Sequence, residues 1–291
     1  MRYTVGIVGA GRVGAVLGAA LAAAGHRVVA ASGVSAASLD RIATLLPGAA
    51  VRPPDQVAAA CELLILAVPD DALAGLVFGL AESDVLSPRQ LVVHTSGAHG
   101  IDVLAPATRA GARPLAVHPA MTFTGTPADL DRLAAGIPYG VTVPDELRPV
   151  ATRLVADLRG SVEWVPEHRR VLYHAALAHG ANHLVTLVND ALDRLRDAGV
   201  RHPERVLGPL LHAALDNTLR LGDAALTGPV SRGDAGTVAG HLDVLAATAP
   251  ESVPAYLALA RRTADRAVTS GRLRTLDAGP LFDVLYAKEP A

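Results

Sequence analysis

Cysteine occurs once in the 291 residues, at Cys61, so the chain has neither an internal disulfide framework nor a thiolate zinc cluster. Cys61 itself reads as a small apolar residue on a helix. Aromatic residues are scarce at 3%, which leaves alanine and valine to supply most of the apolar mass. An excess of one charge is also lacking. The 26 Lys and Arg against 28 Asp and Glu give a net charge of −2, so no nucleic-acid or membrane-surface partner is expected. Mean hydropathy is +0.33, yet no unbroken apolar run has the length of a membrane span. Residues 13–31 are interrupted by Gly25, His26 and Arg27, and residues 171–188 carry His174, His179, Asn182 and His183. Arg2 and the apolar residues after it mimic a leader peptide. Cleaving such a leader would destroy the glycine turn described next, so a cytoplasmic protein is expected.

Hydrophobic residues make up 51% and charged residues 19%, the balance of a globular chain long enough for two domains. Near the N-terminus stands Gly9-Ala10-Gly11-Arg12-Val13-Gly14. An apolar run at 3–8 precedes it, and a small-residue helical stretch at 15–24 follows. Strand, tight turn and helix in that order are the context in which G-x-G-x-x-G signals a dinucleotide site. Gly9 permits the turn, Gly11 admits a pyrophosphate to the backbone, and Gly14 lets the helix pack close to the strand. The helix N-terminus then offers free N–H groups to the phosphates.

Further strands are expected at 27–31, 50–52, 63–68, 91–94, 115–118, 139–143 and 162–165, alternating with helices near 35–46, 55–61 and 146–158. Unbroken apolar runs such as Leu63-Leu64-Ile65-Leu66 suit strands buried on both faces. The alternation predicts an α/β fold, a Rossmann-like, doubly wound and mostly parallel sheet. After Pro166 only helical periodicity remains, with one long helix at 171–198 and shorter ones near 203–221, 235–247 and 253–270. The expected organisation is a dinucleotide-binding domain at 1–165 and an all-α domain at 166–291.

The end of the second strand reads Ala31-Ser32-Gly33-Val34-Ser35. No carboxylate stands there to grip a ribose 2′-hydroxyl and repel a 2′-phosphate, which favours NADP(H) over NAD(H). Ser32, Ser35 and Ser38 offer hydrogen bonds to such a phosphate, and Arg12 and Arg41 offer charge. Ser35 or Ser38 also suits a helix cap. Carboxyl ends of parallel strands line the ligand crevice. Val68-Pro69-Asp70 after the fourth strand, Thr95-Ser96 after the fifth and His118 on the sixth are therefore candidates for the cofactor and substrate site. Capping and turn formation are the alternative for Ser96 and His118.

On the long helix, eight residues separate His174 and Asn182, which displaces them by about 80° and roughly 12 Å in a regular helix. Both are expected to face one cleft. His179 and His183 have metal-ligand spacing but no evident third ligand, so no metal is expected. Thr227 through Asp234 form a polar turn before a helix. Asp234 suits an N-cap, and Arg232 suits a substrate carboxylate.

With these motifs on the page, the chain resembles a family of bacterial oxidoreductases that join a Rossmann-like domain to a helical domain of unassigned function. It is distantly similar to pyrroline-5-carboxylate reductase, ketopantoate reductase and 6-phosphogluconate dehydrogenase. The signposts are Ala67-Val68-Pro69-Asp70, His94-Thr95-Ser96-Gly97, His118-Pro119 through Phe123, Tyr173-His174 through Asn182, and Leu226-Thr227-Gly228-Pro229 through Asp234, followed by His241. The resemblance implies hydride transfer between NADPH and a C=O or C=N bond of a small carboxylate-bearing substrate. A 2-oxo acid such as ketopantoate leads, with an imine next and a non-catalytic dinucleotide sensor as the other class. The substrate is expected in the cleft between the domains, and a homodimer is expected through the helical domain. In hydroxyacid relatives a helix carries Lys and, four residues on, Asn. Asn182 matches the Asn, whereas Ala178 stands where the Lys would be. Similar proteins also place Arg where Gly33 and Val34 stand. His174 is then the expected proton donor with His118 second, and Asn182 and Ser96 are expected to orient the carbonyl.

Overall fold

The computed structural model describes residues 2–287. In chain order the elements are β1 (Thr4–Val8), α1 (Arg12–Ala23), β2 (Arg27–Ser32), α2 (Ala36–Leu45), β3 (Ala50–Val51), α3 (Pro54–Ala59), β4 (Leu63–Leu66), α4 (Asp70–Glu82), β5 (Leu91–His94), α5 (Ala105–Arg109), β6 (Arg113–Pro119), α6 (Ala128–Ala134), β7 (Pro138–Thr142), α7 (Arg148–Asp157) and β8 (Ser161–Trp164). The helices that follow are α8 (Arg170–Leu177), α9 (His183–Asp197), α10 (Pro203–Leu221), α11 (Pro229–Arg232), α12 (Ala235–Thr248), α13 (Val253–Thr269) and α14 (Thr275–Ala287).

The strands form one 8-stranded sheet in the order β3-β2-β1-β4-β5-β6-β7-β8. All neighbours pair parallel except β6 and β7, which run antiparallel with His118 opposite Gly140. Both sheet faces are covered. Val5, Ile7, Leu63, Ile65, Val93 and Val117 pack on one side beneath α1. Val8, Leu64, Leu66 and Val92 pack on the other, with Leu73, Val77 and Leu80 of α4. Leu63, Leu64 and Leu66 are at most 1% exposed, and each buried leucine contributes roughly 1.5–3 kcal/mol. Chain order along the sheet reverses between β1 and β4, and that switch point opens a crevice at their carboxyl ends.

The chain divides into two compact units, one ending at Ala181 and one beginning at Asn182. The first unit therefore runs past the boundary expected at residue 165. The reason is α8, whose side chains bond to the sheet: the Arg170 Nη1 donates to Gly140 O at 3.2 Å. The second unit has its own core of Val238, Leu242, Ala264, Ala278, Leu281 and Leu285. Helical backbone runs without a gap from Arg170 to Asp197, as expected for 171–198, but it is not α-helical throughout. An i→i+5 segment at Ala178–Asn182 separates α8 from α9. The regular-helix displacement of His174 and Asn182 does not hold across that wider turn. Among the described residues no helix is long and apolar enough to cross a membrane.

Candidate functional site

The glycine turn has the stereochemistry that its sequence demands. Gly9 adopts φ +89°, and a Cβ there would lie 2.6 Å from Ala67 O. A Cβ on Gly14 would collide with Gly9 O, so α1 could not approach β1. Gly11 differs: a Cβ there would meet nothing closer than Gly9 O at 4.0 Å, so its surroundings are open. Gly11 is also the N-cap residue of α1, with no side chain capping the first turn. Open space in front of uncapped N–H groups fits a pyrophosphate. Ala10 is buried, Val13 is half-buried, and the Arg12 side chain is exposed.

The serines after β2 are engaged within the protein. Ser32 Oγ accepts from Gly9 N at 3.3 Å and so holds the turn. Ser35 is the N-cap of α2, its Oγ accepting from Ser38 N at 3.2 Å. Ser38 Oγ donates to Ser35 O at 2.7 Å. Charge gathers beside them. A Cβ on Gly125, which has φ +79°, would lie 2.6 Å from Arg41 Nε and 3.0 Å from Arg12 Cγ, so both arginines converge on this loop. The loop is fixed by the buried Asp129, which accepts from Thr124 N at 2.8 Å and Gly125 N at 2.7 Å. These hydrogen bonds hold the Asp129 carboxyl below its ordinary range against the opposing effect of burial.

At the neighbouring strand ends, Val68 and Pro69 lead into α4, whose first turn begins at Asp70, and Thr95 N bonds to Leu66 O at 3.2 Å. Ser96 Oγ accepts from Ala98 N and His99 N, at 3.2 and 3.1 Å, so the hydroxyl forms a turn. His94 is structural: its Nδ1 accepts from Ser96 N at 3.2 Å and its Nε2 lies 2.7 Å from Gly100 O. That pairing assigns the proton to Nε2.

β6 and β7 bring a polar cluster onto the opposite sheet face from Val117 and Tyr139. His118 Nδ1 lies 2.9 Å from the Tyr173 hydroxyl, the rings meeting edge-on. The His174 ring centroid is 6.2 Å from that of His118. A Cβ on Gly97 would lie 2.7 Å from His174 and 3.1 Å from His118, so the bare glycine faces both imidazoles. Arg170, one turn before Tyr173, is 1% exposed. Its Cζ lies 5.9 Å from the Tyr173 ring centroid, and its Nε and Nη2 have no hydrogen-bond partner. The nearby Glu167 carboxylate is committed elsewhere, accepting from Ile101 N at 2.7 Å and Asp102 N at 3.3 Å. Burial, with the Arg170 charge second for His118, pushes His94 and His118 down to about 4. A neutral His118 keeps one ring proton, and its Nδ1 is engaged with the Tyr173 hydroxyl.

The remaining expected residues lie in the second unit. Asn182 is exposed and closes the i→i+5 segment. Arg232 Nε and Nη2 both donate to Asp234 Oδ2, at 3.0 and 2.7 Å, so that edge of the guanidinium is already taken. Asp234 stands at the N-cap position of α12 without a side-chain capping bond. Thr227 is exposed in the turn before α11. No group of three or more metal-ligating side chains occurs among the described residues. Arg170, Tyr173, Glu167 and His94 had no assigned role from sequence. The spacing Glu167, Arg170, Tyr173 was the available signal, since residues three apart share a helix face.

Residues 1–119 match the model of a Rossmann-like domain. Residues 137–263 match a domain of unknown function, DUF2520. The chain joins a Rossmann-like domain to a DUF2520 domain. Similar solved structures include a protein from Bacteroides fragilis provisionally assigned as an NADP oxidoreductase, at 23% identity and TM-score 0.76, covering 91% of this chain and 98% of that one. Pyrroline-5-carboxylate reductase from Streptococcus pyogenes is similar at 16% identity and TM-score 0.60, covering 92% and 99%. An imine reductase variant from Myxococcus stipitatus, in complex with NAD+, is similar at 18% identity and TM-score 0.57, covering 94% and 96%. At these identities the likeness is one of fold. None of the curated proteins compared with this chain matches it.

Proposed function

We propose that the protein is an NADP(H)-dependent reductase of a C=O or C=N bond in a small carboxylate-bearing molecule. One observation carries the reading: an open glycine turn after β1 and a cluster of half-buried polar rings at the end of β6 occur in one unit, on one sheet. The turn would hold the pyrophosphate, and Val68, Pro69, Asp70 and Thr95 would border the nicotinamide. That ring supplies a hydride when bound. His118, His174 and the Ser96-Gly97 turn would form the polar wall against the substrate.

The preference for the phosphorylated cofactor rests on Arg12 and Arg41 converging on the Gly125 loop and on the end of β2, residues 31–35, carrying no carboxylate. Two guanidinium groups suit a 2′-phosphate dianion. A 2-oxo acid such as ketopantoate is the first substrate reading. Reduction of a cyclic imine is the second, favoured by the fold shared with the S. pyogenes and M. stipitatus proteins. A second copy of the chain is the proposed partner, because α9 buries none of its own residues and leaves Leu184, Val185 and Leu187 exposed.

The test is NADPH oxidation by the purified protein with a panel of 2-oxo acids and cyclic imines. Steady turnover with a member of either class supports the reading. Tight cofactor binding with no turnover across the panel favours the non-catalytic sensor.

A further inference from the structure

Arg170 is the least satisfied charged group in the first unit. It is 1% exposed, spends one nitrogen on Gly140 O, and leaves Nε and Nη2 without partners. The one carboxylate on its own turn, Glu167, is held by two backbone N–H groups. The Glu167 charge still favours the Arg170 cation, yet a buried guanidinium with two unpartnered nitrogens is costly and suits a charge that develops in function. Tyr173 lies beneath that cation and bonds to His118. The tyrosine is seated deliberately close to the sheet: a Cβ on Gly140 would lie 2.5 Å from its hydroxyl and 2.6 Å from Cζ.

We propose that Tyr173 donates the proton to the reduced oxygen or nitrogen, that His118 returns it, and that Arg170 is the positioning cation that stabilises the tyrosinate left behind. The inference rests on the reductase reading above and identifies the proton source within that site. As hydride adds to carbon, the π pair of the C=O or C=N bond moves onto the heteroatom. The Tyr173 O–H bond breaks and its proton forms the new O–H or N–H bond. His118 Nδ1–H then passes its proton to the tyrosinate while Nε2 takes one from solvent, so the imidazole ends neutral. A cation placed for the charge that develops stabilises the transition state more than the ground state.

The groups acting on this pair are few. Burial, with Glu163 on β8 adding to it, holds the Tyr173 phenol above its ordinary range, and Arg170 and the Gly140 N–H act against that rise in favour of the tyrosinate. Around His118, Arg170 and His174 disfavour the imidazolium and Asp70 favours it.

The experiment is an ultraviolet titration of phenolate formation in the full-length protein, with Tyr173→Phe subtracted to isolate Tyr173. Arg170→Met is expected to raise the Tyr173 pKa by about one unit or more, and Arg170→Lys to restore most of the shift. Circular dichroism of each variant separates this from unfolding. With any panel substrate that turns over, Tyr173→Phe is expected to lower kcat about a hundredfold or more while leaving NADPH binding unchanged. An unshifted Tyr173 pKa in a folded Arg170→Met protein overturns the proposal. So does full turnover by Tyr173→Phe, or a comparable kcat loss found only in His174→Ala. Failure to find any turnover bears on the reductase reading, and the titration then decides the role of Arg170 by itself.

Discussion

The Tyr173 hydroxyl and His118 Nδ1 stand 2.9 Å apart, although the two residues are 55 positions apart in the chain. The bond joins α8 to β6 within the first unit. Gly140 permits it, since any side chain there would occupy the place of the tyrosine ring. Gly140→Ala is therefore expected to expel Tyr173 and destabilise the protein by about 1–3 kcal/mol. Chemical denaturation, with tyrosine absorbance as the local probe, measures both effects.

Acid stability provides a second check. His94 and His118 titrate at about 6.5 in an unfolded chain and at about 4 in the folded one. Between those values the unfolded state binds more protons, so the contribution is fully present above about pH 6.5 and is lost as pH falls toward 4. The melting temperature is expected to drop across that window. A His94→Gln, His118→Gln double variant is expected to show a flatter dependence on pH, and an equal slope would contradict the burial argument.

The base of the sheet carries a separate tie. His26 Nδ1 accepts from Tyr3 N at 3.2 Å, and its Nε2 bonds to Asp157 of α7 at 3.2 Å. The ring is buried and stacks on Tyr3. His26→Ala is expected to cost about 1–3 kcal/mol through the lost partners of Tyr3 and Asp157. Urea unfolding measures the loss, and NADPH affinity should be unchanged.

Cofactor discrimination is expected to follow the two arginines. Arg41→Ala should weaken NADPH binding about tenfold or more and leave NADH binding nearly unaltered, the size of one charge-assisted hydrogen bond. Arg12→Ala should act in the same direction. Equal losses for both nucleotides would place Arg41 away from the 2′-phosphate.

Much of the architecture was legible in sequence because it is encoded locally. The run Leu63-Leu64-Ile65-Leu66 has no polar break, which is what a central strand covered on both faces requires. The glycine turn was legible because each glycine is demanded by backbone stereochemistry. The helix end at Leu221 and the start at Pro203 were marked by Gly222 and by proline at the first helical position. Other features were hidden. Ala178, Gly180 and Ala181 carry no pattern that distinguishes a wide i→i+5 turn from an α-helix, so the wide turn before α9 left no signal. α14 was missed because Gly279-Pro280 reads as a helix breaker, whereas the burial of Ala278, Leu281 and Leu285 and the bonds of Arg261 to Leu285 O hold that helix. Within the site, Ser32 and Ser96 have the expected location but spend their hydroxyls on backbone N–H groups. Arg170 escaped notice because its importance lies in being buried with two nitrogens unpartnered, which tertiary packing alone creates.

The central claim is that the glycine turn and the Arg12–Arg41 pair form an NADP(H) site. Titration of the purified protein with NADPH and, separately, NADH, followed by nicotinamide fluorescence, tests it most directly. The account predicts binding of both, with NADPH tighter by tenfold or more on the order expected for a paired phosphate. Equal or NADH-favoured binding would contradict the arginine assignment, and no binding of either nucleotide would contradict the dinucleotide site itself.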